Sequence, residues 1–134
     1  FAERAVRALL NACGASRCHV WPFEEIWESM VTRSYAPGEF RGAFVGWDNT
    51  PRRAEHARIV SEAAPDVFGR FMRRQLEGAA AEGCPFVFVN AWNEWAEGAT
   101  LEPDEADGLA RLEQLRAAVE AVRSAVRDPS GRSH

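Results

Sequence analysis

Glu94 and Glu97 are the residues of this chain best equipped to do chemistry. They stand three apart in the run Phe86-Val87-Phe88-Val89-Asn90-Ala91-Trp92-Asn93-Glu94-Trp95-Ala96-Glu97-Gly98. There an apolar stretch gives way to two asparagines, two tryptophans and two glutamates. That is the pattern of a buried strand ending in a polar, aromatic pocket. If the loop curls, both carboxylates face one space. At a separation of ~5 Å and an effective dielectric of ~20 their repulsion is about 3 kcal/mol. Such a repulsion favours one protonated carboxyl beside one ionised. An acid beside a base is the equipment of glycoside cleavage, and a spacing of about 5 Å fits retention of configuration. The plainer outcome for E-x-x-E is that one glutamate caps a turn and the other meets water. The flanking Asn90, Trp92, Asn93 and Trp95 weigh against it.

A second polar run, Gly46-Trp47-Asp48-Asn49-Thr50-Pro51-Arg52-Arg53, also follows an apolar stretch. Trp47, Trp92 and Trp95 offer indole faces for the C–H surfaces of sugar rings, or pack in the core. Asp48 and Asn49 offer hydrogen bonds to hydroxyls, or form an Asx-type turn before Pro51. Arg52 offers a partner for phosphate or carboxylate, and Arg53 reads as a solvated side chain. In Leu101-Glu102-Pro103-Asp104, Pro103 pins a turn and Glu102 can reach back toward the pocket. Trp27, on a helical stripe, belongs to the core.

The elements that must carry these loops alternate. A helix is expected over residues 1–13, stopped by Gly14, then an extended segment at 16–21. Pro22 opens a helix with Phe23, Ile26, Trp27 and Met30 on one face. Ala36-Pro37-Gly38 signals a turn, and residues 40–46 read as a strand, with 46–53 as a loop. Pro65 opens a helix with the stripe Phe68, Phe71, Met72, Leu76 and Ala79, stopped by Gly83. Phe86 to Val89 reads as a strand apolar on both faces, as in a parallel sheet covered by helices. A polar loop spans 90–106. A last helix runs from Gly108 to about Arg127 with Leu109, Leu112, Leu115, Val119, Val122 and Val126 on one stripe. The tail from Asp128 is expected to be disordered. Alternation of this kind predicts βα units in an α/β fold, whose ligands sit beyond the strands' C-terminal ends.

Composition removes several classes. The net charge is −4, and all 16 basic residues are arginine. The acidic balance argues against nucleic acid as a partner. No apolar run approaches the roughly 20 residues of a membrane span. The three cysteines, Cys13, Cys18 and Cys84, make no disulfide framework. They read as reduced thiols. Localisation stays open, with the cytoplasm slightly favoured for a bacterial-type protein. Cys13, Cys18 and His19 would need a fourth ligand to bind metal, so neither metal nor cofactor is expected. No glycine-rich phosphate loop, G-x-S-x-G elbow or H-E-x-x-H helix is present.

Taken together, the 46–53 run, the 90–98 run about 35 residues later and Leu101-Glu102-Pro103-Asp104 resemble the WbsX-like family over roughly residues 35–125. Its members are labelled glycosyltransferases of polysaccharide or O-antigen synthesis. They are similar to glycoside hydrolase family 99, the endo-α-mannosidases and endo-α-mannanases, which are (β/α)₈ barrels. The resemblance implies that residues 1–127 are the C-terminal part of such a barrel with its last two βα units, since a whole barrel takes roughly 250 residues. It implies a glycan or glycoconjugate substrate. In family 99 an N-E-W-x-E-G context is catalytic, and by motif match the pair is Glu94 and Glu97. Glu97 would then be the acid and base at the glycosidic oxygen. Glu94 would assist the sugar 2-hydroxyl, giving retention through an anhydro-sugar. Ala96 departs from the histidine usual in the hydrolases, which removes a polar contact bearing on mannoside specificity. Two alternatives stand beside the hydrolase. One is a glycosyltransferase with a sugar-nucleotide or lipid-linked donor, for which Arg52 would meet donor phosphate. The other is a non-catalytic glycan-binding module. The 134-residue piece alone is expected to be inactive and to aggregate through open sheet edges.

Overall fold

The computed structural model describes residues 18–128. The helix expected over 1–13, Cys13 and residues 129–134 of the tail lie outside them. The described chain is a mixed α/β arrangement. β1 (His19–Trp21) leads into α1 (Phe23–Thr32), then β2 (Arg41–Phe44) and β3 (Trp47–Asp48). A helical turn, Thr50–Arg53, and a 3₁₀ turn, Ala54–His56, precede β4 (Arg58–Val60) and α2 (Pro65–Ala81). β5 (Val87–Asn90), β6 (Asn93–Glu94), a 3₁₀ turn at Trp95–Glu97 and β7 (Ala99–Thr100) lead to α3 (Ala110–Arg127).

Strand pairing falls into three small sheets. β1 pairs parallel with β4, which pairs antiparallel with β3. β2 pairs parallel with β5, with Arg41 opposite Val87 and Phe44 opposite Asn90. β6 and β7 form an antiparallel hairpin. The parallel β2–β5 pair joined through α2 is the βα unit that alternation predicts. The described strands do not close into a ring. None of the described helices is long and apolar enough to cross a membrane.

The core lies between the sheets and α1, α2 and α3. Phe23, Trp27, Phe68, Phe71 and Met72 are all buried there. Trp27 stacks on Phe44 at 5.5 Å between ring centroids and meets Phe68 edge-on at 6.2 Å. Burying side chains of this size is worth roughly 1.5–3 kcal/mol each. Trp27 thus sits where its helical spacing puts it. Ile26 and Met30, of the same predicted face, are only partly covered.

Helix limits follow local chemistry. Pro22 and Ala64 are extended N-cap residues, and Pro65 takes the first helical position, where its missing N–H costs nothing. Gly83, just past α2, has φ +67°, the left-handed stop that glycine allows. Gly108, before α3, has φ +54°.

Five details differ from the sequence expectations. The 46–53 run is not plain loop but carries β3 and a helical turn. The 90–106 segment is likewise not simply loop, since it folds as the β6–β7 hairpin. β4 was not expected, being three residues long with Arg58 first. β5 is covered on one face only: Val87 and Val89 pack toward the core while Phe88 is 60% exposed. Phe88 instead meets Phe40 at 5.6 Å and Phe86 at 6.2 Å. The α3 stripe covers Leu112 and Leu115 but leaves Leu109 and Val126 exposed at its ends.

Candidate functional site

Two loops build the site, each leaving the C-terminal end of a strand in the β2–β5 pair. After β2 the chain passes buried Val45 and reaches Gly46. A Cβ at Gly46 would lie 3.0 Å from Glu62 Cγ and 3.4 Å from the Gly98 carbonyl. Glycine there lets the first loop run against the second. β3 then pairs Trp47 with Val60 and Asp48 with Ile59.

The helical turn that follows is tied down at its start. Asp48 Oδ1 accepts the Thr50 backbone N–H at 2.8 Å and a bond from the Thr50 hydroxyl. Asn49 Oδ1 accepts the Arg58 N–H at 2.7 Å. The Asn49 carbonyl accepts the N–H groups of Arg52 and Arg53 at 3.0 Å each. Asp48 thus makes the Asx-type turn that was one of the two alternatives left open by the sequence, while the Asn49 side chain bonds β4 instead. The turn closes on Ala54 at φ +46°, a conformation costing an L-residue roughly 1–3 kcal/mol.

The second loop folds back as the β6–β7 hairpin. Asn93 pairs with Thr100 and Glu94 with Ala99. Ala91 N–H donates to the Ala99 carbonyl at 3.3 Å, and the Trp92 carbonyl accepts Glu102 N–H at 2.8 Å. The hairpin tip is the 3₁₀ turn Trp95–Glu97, closed by Gly98 at φ +60°. In a 3₁₀ turn, side chains three apart eclipse. Glu94 is the residue capping that turn and Glu97 its last, so the curl required for convergence is present.

Both carboxylates reach one guanidinium. Arg52 Nη1 lies 2.9 Å from Glu97 Oε1, and Arg52 Nη2 lies 3.6 Å from Glu94 Oε1. Glu97 is 8% exposed, while the side chains of Glu94 and Arg52 stay substantially open. The expected repulsion between the glutamates therefore meets a cation held closer to each than the ~5 Å assumed between them. The guanidinium thus stands against both carboxylates and lies nearer to Glu97.

Around the pair, Trp92 and Trp95 are 51% and 53% exposed. Trp95 Nε1–H donates to Glu102 Oε2 at 2.8 Å, so Glu102 does reach back, to an indole. Asn93 lies exposed in β6 and Asn90 at the end of β5. Trp47 and Asn90 line a largely apolar groove of about 470 Å³ with Ile26, Met30, Phe44 and Val60. The structure thus joins Arg52, Glu94 and Glu97 directly, and Trp95 with Glu102. It turns Asn49 toward β4. Among the described residues, no group of three or more His, Cys, Asp or Glu side chains could hold a metal ion.

Sequence reasoning missed two supports. Arg111, buried in the first turn of α3, pairs with Asp107 at 2.7 Å and Glu62 at 3.5 Å. It thereby fixes the side chain packed beside Gly46. Asp104 accepts the N–H groups of Asp107 and Ala106 at 2.6 and 2.9 Å. These bonds, Asp107's first, hold the Asp104 carboxyl below its ordinary value. The D-x-x-D-G spacing of 104–108 is the signal that could have revealed this turn.

A family model described as "Glycosyltransferase WbsX" matches residues 2–115. Two relatives, each described as "Uncharacterized protein WxcX", come from Xanthomonas campestris pv. campestris strains B100 and ATCC 33913. Each is 42% identical over 83 residues, covering 60% of this chain and 12% of the relative. The chain thus spans a small part of the relatives it matches. No solved structure matches it.

Proposed function

This chain belongs to the WbsX glycosyltransferase family, and we propose that its protein is a carbohydrate-active enzyme that breaks glycosidic bonds with retention, using Glu94 and Glu97. The observation that carries this reading is the convergence of both carboxylates on Arg52, Glu94 from the end of β6 and Glu97 from the 3₁₀ turn it caps. Glu97 is the acid and base at the glycosidic oxygen, and Glu94 assists the sugar 2-hydroxyl. Trp92 and Trp95 stack on sugar rings beside the pair, with Trp47, Asp48, Asn49, Asn90, Asn93 and Glu102 on its margins. The described residues belong to a (β/α)₈ barrel in this reading. Parallel pairing of β2 with β5, and polar loops at the C-terminal strand ends, support that architecture.

A second reading, glycosyl transfer from an activated donor in polysaccharide synthesis, is favoured by the family's description. The full-length protein offered a synthetic aryl α-mannoside and, separately, GDP-mannose with acceptor glycans tells the two apart. Hydrolysis of the mannoside to a product of retained anomeric configuration, read by proton NMR, supports the proposal. Transfer from the nucleotide sugar without hydrolysis supports the second reading. An inverted product removes the Glu94–Glu97 mechanism.

A further inference from the structure

We infer that Arg52 is a positioning residue for the glutamate pair, acting through Glu97 and Glu94 rather than binding a donor phosphate. The inference rests on the catalytic reading of the two glutamates. Glu94 caps the 3₁₀ turn and Glu97 ends it, and Arg52 is the cation that meets both. The guanidinium arrives from the other loop and meets them with different nitrogens, Nη1 to Glu97 and Nη2 to Glu94. A planar fork can hold two acceptors in fixed relation, whereas a lysine ammonium is a single point charge. The contacts are unequal: 2.9 Å to Glu97 and 3.6 Å to Glu94. The closer contact is thus to the buried carboxylate, and the open one keeps room to meet a sugar.

The framework aims Arg52 at this task. Its turn is tied to the Asn49 carbonyl, to Asp48 through Thr50, and to β4 through Asn49. A phosphate arriving at Arg52 would draw it off Glu97 and strand a largely buried carboxylate without its cation. Anion capture at this guanidinium thus opposes the pair it serves.

The test uses the full-length protein and a synthetic aryl α-mannoside. Arg52→Ala is expected to lower kcat about thirtyfold with KM within about threefold, the signature of lost organisation rather than lost binding. Arg52→Lys should recover only a small part, and guanidinium ion in solution should partly rescue Arg52→Ala. The double variant Arg52→Ala/Glu97→Gln should be no slower than Glu97→Gln, since one acts through the other. A raised KM at unchanged kcat, or losses that multiply in the double variant, would overturn the inference. The contact is also read without turnover, from melting temperatures of the same four proteins. Non-additive shifts support it; additive shifts overturn it. If Glu94→Gln and Glu97→Gln leave turnover intact, the catalytic reading fails and Arg52's role in it fails too, while the melting cycle still reports the ion pair.

Discussion

Gly78→Ala should destabilise this protein, although the same change in most helices stabilises. Gly78 lies inside α2, where alanine is worth about 1 kcal/mol over glycine. Here a Cβ would stand 2.5 Å from Arg41 Cζ and 2.7 and 2.8 Å from its terminal nitrogens. The end of an arginine usually swings aside, but this one is 4% exposed and pinned. It donates to Gln75 Oε1 at 2.9 Å and to Glu82 at 2.8 and 2.5 Å. Overpacking costs about 1–3 kcal/mol. Depriving the fully buried Gln75 oxygen of its donor costs about 1–3 kcal/mol more. At mid-range these outweigh the helix gain and leave a net loss of about 3 kcal/mol. Denaturant midpoints of the full-length protein provide the assay. Arg41→Met with Gly78→Ala is the control, because removing the guanidinium removes the collision. In that background alanine should cost nothing or regain up to about 1 kcal/mol. A Gly78→Ala protein as stable as wild type would refute the reasoning.

Arg41's hydrogen bonds hold the Glu82 carboxyl below its ordinary value of 4.5. A depressed carboxylate contributes stability above the unfolded value and loses it as pH falls through the folded one. Melting temperature should therefore drop as pH falls below 4.5, and the drop should be shallower in Glu82→Gln; equal slopes would count against the pairing. Trp95→Ala should raise KM for an oligosaccharide about threefold to tenfold with kcat little changed. Glu102→Gln, which keeps a carbonyl acceptor for the indole N–H, should stay near wild type.

What the sequence revealed divides along physical lines. Long-range order with a strong period was legible. The Phe68, Phe71 and Met72 stripe and the Pro65 and Gly83 boundaries of α2 were readable because each residue acts through its own local chemistry. Trp27 was readable as core by its spacing from Phe23. Short elements were not. β4 is Arg-Ile-Val, too brief for a period, and exists because β1 and β3 pair with it on either side. The Thr50–Arg53 turn depends on a competition between Asp48 and Asn49 side chains and the backbone, which composition alone leaves open. Gln75 interrupts an apolar stripe yet is fully buried, because Arg41 and the Gly42 carbonyl satisfy it. In the site, the E-x-x-E spacing suggested convergence, but the cation between the carboxylates comes from about 40 residues away in the chain. Sequence distance hides that pairing, and it changes the electrostatics from repulsion to bridging.

The most direct test of the account is turnover of Glu94→Gln and Glu97→Gln in the full-length protein. Each substitution keeps shape and removes a carboxylate, so each is expected to slow turnover by at least about a hundredfold. Activity within about tenfold of wild type in either variant, with the fold intact, would contradict the claim that these two glutamates carry the chemistry.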